Sequence, residues 1–409
     1  MKKLGLAMSV IALSLIGCGS TEDSNENEVI VERGPVLKAS VIDAKGQIAT
    51  EVGNGKYRFK NTPSYPITAM GGFIDINRDG DVSVGDVNNT LIYHSSDGKA
   101  VTIVNAISKN KEIRDYLKYT YQLKDWEIDN DLPKNNNLIA AISDVVYAYC
   151  IDKNISEPQN LSLTDIEVLK TQIQTQLDKY KIDKNISEVE DELVTNLGVK
   201  KLDDNDIEVL NTIGYHNNTD IQRLPKYTLT LENKKQLAHM WDEEKLAHDL
   251  YIELYNKFSN LETLNIIGSK SEARHQSKVE ELISKYDLNI TSSDFNGTYD
   301  ADTLASYKVG EFISSKIQNL YNDLYQKGIS SDIDALKVGC MVEVTDVIDL
   351  NEYIDSNIMP DMLLVFEHLR DGSYHHYWAF DRALKSLGVE DGCCSLGTEY
   401  CKKEYPKDK

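Results

Sequence analysis

The stretch that decides the fold of the C-terminal part of the chain is SEARHQSKVEELISKYDL, residues 271–288. It reads as a helix, and Glu272 and His275 stand three positions apart in it. Their side chains would therefore leave the helix on the same side, with Cβ atoms about 5–6 Å apart. Such a pair is either half of a metal site or two polar residues on a solvent-exposed face of the helix. The decision rests on which ligands the other helices supply.

Helical periodicity extends on both sides of this stretch, from Thr230 to Leu387. Apolar residues at steps of three and four, with breaks at Gly328 and Pro360, define the segments. Helices are predicted over about 232–258, 262–286, 311–327, 331–357 and 360–387. Two helices, a long connection at 289–309 and then further helices follow the plan of a ferritin-like four-helix bundle with one long crossover. The sequence predicts that fold for residues 230–387.

Carboxylates and histidines recur at helical spacing in four of these segments. Two metal ions a few ångströms apart need carboxylates that neutralise and bridge them, and one imidazole for each ion. Bundles of this kind place a Glu on each of two helices and a Glu-x-x-His pair on each of the other two. The candidate ligands in this chain are Glu244, Glu272, His275, Glu343, Asp346 and His376.

The fourth helix departs from the pattern, because Ser373 stands where the Glu of its Glu-x-x-His pair is expected. Asp346 follows Glu343 by three positions and is the residue that could replace the missing carboxylate, much as rubrerythrins carry a second acid on their third helix. Two further residues have two interpretations each. Tyr251 is either a redox-active or hydrogen-bonding neighbour of the metals or a core residue. Cys340 either faces the metals or packs in the core. Glu243 is interpreted as a surface charge.

Four motifs carry a resemblance to a known family: EEKLAHDLY, SEARHQSKVEELISKYDL, DALKVGCMVEVTDVIDL and LRDGSYHHYWAF, all within residues 232–386. Their order and spacing resemble a bacterial family of ferritin-like, rubrerythrin-related domains of unknown function. The resemblance implies a bundle with a di-iron or di-manganese centre. In that family Arg commonly replaces His248 and Asn commonly replaces His375, which favours His376 as the ligand. The resemblance implies no particular reaction.

The first 33 residues predict export and a lipid anchor. Residues 1–17 have a basic start and an apolar stretch too short to span a membrane comfortably, as in a signal peptide. They lead into LIGC, which resembles the bacterial lipobox, where cleavage precedes a cysteine that is then lipidated. An ordinary signal peptide with a chance cysteine is the alternative. We expect a lipid anchor at Cys18, a flexible tether over 18–33, and an outer-membrane location facing the periplasm or the cell surface.

Residues 34–104 alternate apolar and polar positions and predict a small β module, like a sandwich. Inside it, DINRDGDVSVGD at 75–86 has the EF-hand order of oxygen donors, with glycine where the chain turns sharply. Asp at the last position resembles the dockerin variant. One loop without a second favours a structural Ca²⁺, and an acidic turn is the alternative. The candidate calcium ligands are Asp75, Asn77, Asp79, Asp81, Ser83 and Asp86.

A polar helical connector is predicted over 105–222, and a cysteine-containing tail over 388–409. After Cys18, five cysteines remain, so at least one thiol has no partner within the chain. Cys401 could close a small loop with Cys393 or Cys394. The net charge of −22 disfavours nucleic-acid binding, because such a surface repels phosphate.

The sequence thus predicts a multidomain, mainly α protein of the bacterial envelope. Its ferritin-like bundle would oxidise Fe(II), or reduce peroxide or oxygen. No flavin, haem or nucleotide motif supplies electrons, so a reductase activity would need an external electron donor. The alternative is a non-catalytic lipoprotein that binds metal or a surface partner and uses the bundle as a scaffold. The oligomeric state and the disulfide pairing stay open.

Overall fold

The computed structural model describes residues 26–182, 185–215, 221–291, 298–356 and 358–407. The chain is mainly helical, with a small β region near the N-terminus and a helical bundle region near the C-terminus. The signal peptide and the lipid anchor at Cys18, both predicted above, lie outside the described residues. Within those residues, no helix is long and apolar enough to cross a membrane.

Short strands make up the β region, and a separate hairpin lies between the later helices. The strands are β1 (Glu28–Val31), β2 (Val36–Leu37), β3 (Ser40–Ile42), β4 (Thr50–Gly53), β5 (Lys56–Arg58), β6 (Ile67–Met70), β7 (Phe73–Ile74), β8 (Val87–Asn88), β9 (Tyr93–Ser95), β10 (Ala100–Val101), β11 (Ile290–Thr291) and β12 (Thr298–Tyr299). Their sheet orders are β10-β1-β5-β4, β2-β7-β8, β3-β6-β9 and β11-β12. The β region is therefore three small sheets that share one interior.

The predicted tether over 18–33 is wrong at its C-terminal end. Strand β1 starts at Glu28, pairs with β5 and β10, and buries Val29 and Val31. Arg33 is also fully buried and lies 3.3 Å from the Asp144 carboxylate. The period-two alternation of this stretch was obscured by its acidic composition, although alternation is the signal of a half-buried strand.

Helices dominate the rest of the chain. They are α1 (Ile103–Ile107), α2 (Lys111–Tyr121), α3 (Asp125–Asn130), α4 (Asn137–Lys153), α5 (Leu163–Glu167), α6 (Lys170–Tyr180), α7 (Ile186–Asn196), α8 (Asp204–Ile213), α9 (Leu231–Lys257), α10 (Glu262–Ile266), α11 (Ala273–Lys285), α12 (Ala301–Leu304), α13 (Ser315–Gly328), α14 (Asp332–Asp355) and α15 (Pro360–Ser386). A π-helical turn, Ile267–Glu272, joins α10 to α11 without a break.

One hydrophobic core joins the β region to the helices that follow it. Tyr57 and Ile74 from the strands belong to the same buried cluster as Ile142 and Val146 of α4. The predicted modules at 34–104 and 105–222 therefore pack together as one unit. Their boundary in the sequence marks a change of secondary structure, because the β strands alone are too short to enclose a core.

The long helices α9, α14 and α15, together with the α10–α11 segment, build the bundle region. Helix α14 packs along α15, α9 packs against α11, and α9 also contacts α14. Local sequence sets the helix starts, since Thr230 caps α9 by accepting a hydrogen bond from the Asn233 N–H, and Pro360 occupies the first turn of α15. The predicted helix near 311–327 begins later, at Ser315, and the connection before it contains β11, β12 and α12.

The tail folds back onto the bundle region. Disulfides join Cys340 of α14 to Cys393, and Cys394 to Cys401, while Cys150 is buried and free. The pairing decides between the two interpretations of Cys340, because a disulfide sulfur offers no thiolate to a metal. The Cys401 loop forms with Cys394.

Candidate metal centre

Four helical segments place the six predicted ligands in the interior of the bundle region. Glu244 comes from α9, Glu343 and Asp346 from α14, and His376 from α15. Glu272 ends the π-helical turn and His275 follows in α11. None of the six is more than 3% exposed. Burial on this scale rules out the interpretation of Glu272 and His275 as residues of a solvent-exposed helix face.

Five of the six ligands converge in two groups that share Glu272. The first group is Glu244, Glu272 and His275, and the second is Glu272, Glu343 and His376. Within each group the potential ligand atoms lie within 4.8 Å of one another. A shared carboxylate between two groups is the arrangement that a dinuclear centre requires.

The two oxygens of Glu272 face different imidazoles. Oε2 lies 3.0 Å from His275 Nδ1, and Oε1 lies 2.9 Å from His376 Nδ1. On the outer sides, His275 Nδ1 lies 3.2 Å from Glu244 Oε2, and His376 Nδ1 lies 3.2 Å from Glu343 Oε2. The two rings stack with centroids 5.4 Å apart. Each Nδ1 atom therefore lies between the shared carboxylate of Glu272 and a second carboxylate. The second carboxylate is that of Glu244 for His275 and that of Glu343 for His376.

The π-helical turn positions the shared carboxylate. Turns of this kind are rare and frequently occur at functional sites. Gly268 within it packs closely on α9, since a Cβ at that position would lie 3.1 Å from the Cβ of Tyr251. The close approach needs a glycine and brings Glu272 toward Glu244 and Glu343.

Ser271 and Tyr251 contact three of the candidate ligands and orient them. Ser271 Oγ lies 2.8 Å from His376 Nε2 and 3.5 Å from His275 Nε2, so it contacts the ring nitrogen that does not face the carboxylates. The Tyr251 hydroxyl donates a 2.6 Å hydrogen bond to Glu343 Oε1. Contacts of this kind orient metal ligands and tune their basicity. Tyr251 is thus a hydrogen-bonding neighbour, and Ser271 is a residue that sequence reasoning missed.

The buried charges shift one another's pKa values strongly. Burial raises the pKa of Glu244 to about 8, despite the nearby His275. Burial opposes protonation of the imidazoles, yet the flanking carboxylates raise the pKa of His275 to about 10 and that of His376 to about 9. For Glu272, burial acts upward, but His376 and His275 lower its pKa well below the usual range. Without metal, protons bound to Glu244 and the two imidazoles therefore balance the negative charge of the remaining carboxylates.

The residues fit a pair of transition-metal ions. One buried carboxylate oxygen of the group, Glu244 Oε1, accepts no hydrogen bond. Leaving such an oxygen unsatisfied costs about 1–3 kcal/mol or more, and a cation beside it would remove that cost. Mixed carboxylate and imidazole donors suit Fe²⁺, Mn²⁺ or Zn²⁺.

Three residues do not join the two groups. Asp346 is buried on the same face of α14, and burial together with the charges of Glu243 and Glu343 raises its pKa well above the usual value, but it belongs to neither group. Ser373 Oγ donates to the Leu369 carbonyl of its own helix at 3.1 Å. His375 Nδ1 lies 3.3 Å from the Asn211 carbonyl oxygen, away from the ligands.

A third group was not predicted from the sequence. His239, Glu243 and Asp349 also bring potential ligand atoms within 4.8 Å of one another. Glu243 is only 5% exposed, so its interpretation as a surface charge is wrong. Its neighbours in the sequence are charged as well, which hides the fact that this helix is buried on most sides. An His-x-x-x-Glu spacing on α9 is the signal that could have revealed the group.

The predicted calcium loop keeps its donors on one turn of chain. Backbone N–H groups of Gly80, Asp79 and Asp81 donate to Asp75, Asn77 and Asp79, each at 2.9 Å, and Gly80 has φ +91°. Asp75 Oδ1 is buried and accepts no hydrogen bond. Both oxygens of Asp86 accept backbone N–H groups, from Ile76 and Ser83. Among the described residues, the acid and histidine groups that converge within 4.8 Å lie in the bundle region and not in this loop.

The fold and the site define this chain as a helical-bundle protein with a buried cluster of carboxylates and imidazoles. Residues 233–400 match a family described as an uncharacterized protein domain (DUF2202). The Uncharacterized protein MJ0754 of Methanocaldococcus jannaschii is 36% identical over 168 residues, which are 41% of this chain and 83% of that relative. The chain therefore belongs to the DUF2202 family through its C-terminal part.

A solved structure is also similar in sequence. The crystal structure of hypothetical protein MJ0754 from Methanococcus jannaschii is 35% identical and has a TM-score of 0.35; the match covers 40% of this chain and 86% of that one. The family match includes all six predicted ligands, together with Ser271 and Tyr251.

Proposed function

We propose that the bundle region is a ferritin-like four-helix bundle that binds a dinuclear iron or manganese centre. The observation that carries this proposal is the carboxylate of Glu272, whose two oxygens lie 3.0 Å and 2.9 Å from imidazole nitrogens on two different helices. Two rings on one carboxylate, each with a second carboxylate outside it, match a bridged pair of ions.

The roles of the residues follow from their positions. Glu272 would bridge, while Glu244 with His275 and Glu343 with His376 would each complete one ion. Ser271 holds both rings, and Tyr251 holds Glu343. When bound, a di-iron or di-manganese pair supplies one-electron redox chemistry. The proposed activity is oxidation of Fe(II) as substrate, or reduction of peroxide or oxygen with an external electron donor.

A second candidate is a non-catalytic metal-binding or scaffold protein. Ser373 favours it, because its hydroxyl bonds to Leu369 and supplies no carboxylate. Asp346 does not join either group, so the centre has three carboxylates where the bundle pattern provides four. A centre with fewer carboxylates leaves more positive charge on the ions, which disfavours their oxidised state.

We also propose the lipid anchor at Cys18, an outer-membrane location facing the periplasm or the cell surface, and one structural Ca²⁺ in the 75–86 loop. Two disulfides are consistent with an oxidising compartment outside the cytoplasm. The buried Asp75 Oδ1 without a hydrogen bond supports the calcium site.

Anaerobic loading of the purified chain with Fe(II), followed by metal analysis, tests the central proposal. We expect at least about two ions per chain, the two of the dinuclear centre. Absence of bound transition metal would refute both the oxidoreductase and the metal-binding candidate. Turnover of hydrogen peroxide with an artificial reductant then separates them, since the non-catalytic candidate binds the ions without turnover.

A further inference from the structure

We propose that His239, Glu243 and Asp349 form a third binding site, for a divalent transition-metal cation, and that this site lies on the access route to the dinuclear centre. The site itself stands without the proposed function, whereas its role in access rests on it. The three residues share no member with the two groups that hold the dinuclear centre.

The geometry is that of a half-open cation site. His239 Nδ1 lies 3.3 Å from Glu243 Oε2, one helical turn along α9, and Asp349 of α14 completes the group. The side chain of His239 is 23% exposed, so one face of the group meets solvent. The Tyr353 hydroxyl lies 3.0 Å from His239 Nδ1 and fixes the ring. One imidazole and two carboxylates favour Fe²⁺, Mn²⁺ or Zn²⁺ over Ca²⁺, which prefers oxygen ligands.

A buried carboxylate oxygen that accepts no hydrogen bond supports a bound cation at this group. Glu243 Oε2 is buried and has His239 Nδ1 as an ion-pair neighbour 3.3 Å away, but it accepts no hydrogen bond. A second carboxylate, that of Asp349, lies in the same group. A buried and a half-buried carboxylate at this range repel each other unless a proton or a cation lies between them. A cation shared with His239 also satisfies the orphaned oxygen.

A surface cavity reaches one member of this group, Glu243, and also Asp346. Glu243 and Asp346 both line a cavity of about 90 Å³, and its rim includes the exposed residues Thr345 and Leu320. The cavity therefore extends from the surface to the side chains of Glu243 and Asp346. Glu243 directly precedes Glu244 in α9, and Asp346 lies one turn from both Asp349 and Glu343 in α14. Glu343, Asp346 and Asp349 therefore occupy successive turns of α14, from the dinuclear groups to the third group.

This position gives Asp346 a role as a relay. It belongs to neither dinuclear group, yet it lines the same cavity as Glu243 and lies one helical turn from both Glu343 and Asp349. A carboxylate between two cation sites lowers the barrier for an ion that sheds water as it moves inward.

Anaerobic titration with Mn²⁺, with free Mn²⁺ followed by its electron paramagnetic resonance signal, tests the site. Wild type should bind about three ions per chain, and Asp349→Asn and His239→Ala about two. The control is Glu352→Gln, an exposed acid on the same helix, which should bind like wild type. Two ions in wild type and in both variants would overturn the third site and leave the proposed function intact.

The same titration distinguishes a failure of the proposed dinuclear centre from a failure of the third site. If wild type binds about one ion, and that ion is lost in Asp349→Asn but kept in His275→Ala, the third site exists without a dinuclear centre. The access role is tested by the rate at which Mn²⁺ fills the dinuclear centre. Asp349→Asn should slow it about tenfold with the same final occupancy of that centre, because a focusing charge is lost. An unchanged rate would overturn the access role.

Discussion

Glu272 Oε1 lies 2.9 Å from His376 Nδ1, so a carboxylate at the end of a π-helical turn contacts an imidazole on the last long helix. The other oxygen of the same carboxylate contacts His275. Glu272 is consequently the one residue common to both ligand groups in the described part of the chain. The effect of replacing it should therefore differ in kind from that of replacing any other ligand.

Glu272→Gln should remove both transition-metal ions, whereas Glu244→Gln should remove or weaken one. The amide keeps the volume of the side chain but presents an N–H to one imidazole and carries no charge. Metal content after anaerobic Fe(II) loading, measured on folded protein, checks the prediction. Equal losses in the two variants would contradict the bridging position of Glu272.

His376→Ala and His375→Ala form a matched pair on adjacent positions of α15. His376 contacts Glu272 and Glu343, while His375 faces the Asn211 carbonyl. We expect His376→Ala to lower metal affinity by at least about a hundredfold, since a direct ligand is lost, and His375→Ala to change it little. Isothermal titration with Mn²⁺ measures both. A comparable loss in His375→Ala would show that the ligand was assigned to the wrong histidine.

Much of the candidate site was accessible from the sequence, because helical spacing determines which side chains share a face. Glu272 and His275 could be paired from their separation alone, and the four motifs supplied one helix each. The choice of His376 over His375 came from the family resemblance, since adjacent positions on a helix differ by only a rotation of about 100°.

The parts that could not be predicted depend on tertiary packing. Ser271 reaches both imidazoles because a π-helical turn shifts its direction, and no local pattern marks that turn. Glu243 is buried because α9 contacts α11, α13 and α14. Likewise, β1 was hidden by the acidic residues in and beside it. The buried Glu32, which directly follows β1, pairs with Arg78 of a distant loop, and the sequence does not reveal such a partner.

Ser271→Ala should weaken metal binding by about 10- to 100-fold while the fold is kept. The hydroxyl contacts His376 Nε2 at 2.8 Å, and without it the ring loses the contact that orients Nδ1 toward the carboxylates. Ser269→Ala is the control, since Ser269 lies on the same turn and is exposed. Its hydroxyl donates a hydrogen bond to the Asn265 carbonyl oxygen. Competition with a chelator of known affinity gives the two constants. Equal constants would remove Ser271 from the site.

Metal binding near pH 7 should release protons. The pKa values of Glu244, His275 and His376 are about 8, 10 and 9, so all three are protonated at neutral pH without metal. An ion can bind only after these protons leave, so its apparent affinity should rise with pH toward about 9. Dependence of the calorimetric enthalpy on the buffer's ionisation enthalpy counts the protons. Release of no protons at pH 7 would contradict these shifts.

The same shifts give opposite pH dependences of stability for the two forms. In the metal-free protein, the folded-state pKa values of His275 and His376 exceed the ordinary value of 6.5. Their contribution is therefore fully present below pH 6.5 and is lost as the pH rises through about 9 to 10. Glu244, raised by burial, acts in the same direction, while Glu272 stays ionised throughout this window. The metal-loaded protein should gain stability as the pH rises over the same range, because fewer protons then compete with the metal for these residues. Thermal unfolding of both forms from pH 6 to 9.5 measures the difference, and parallel curves would show that metal and protons do not compete for these residues.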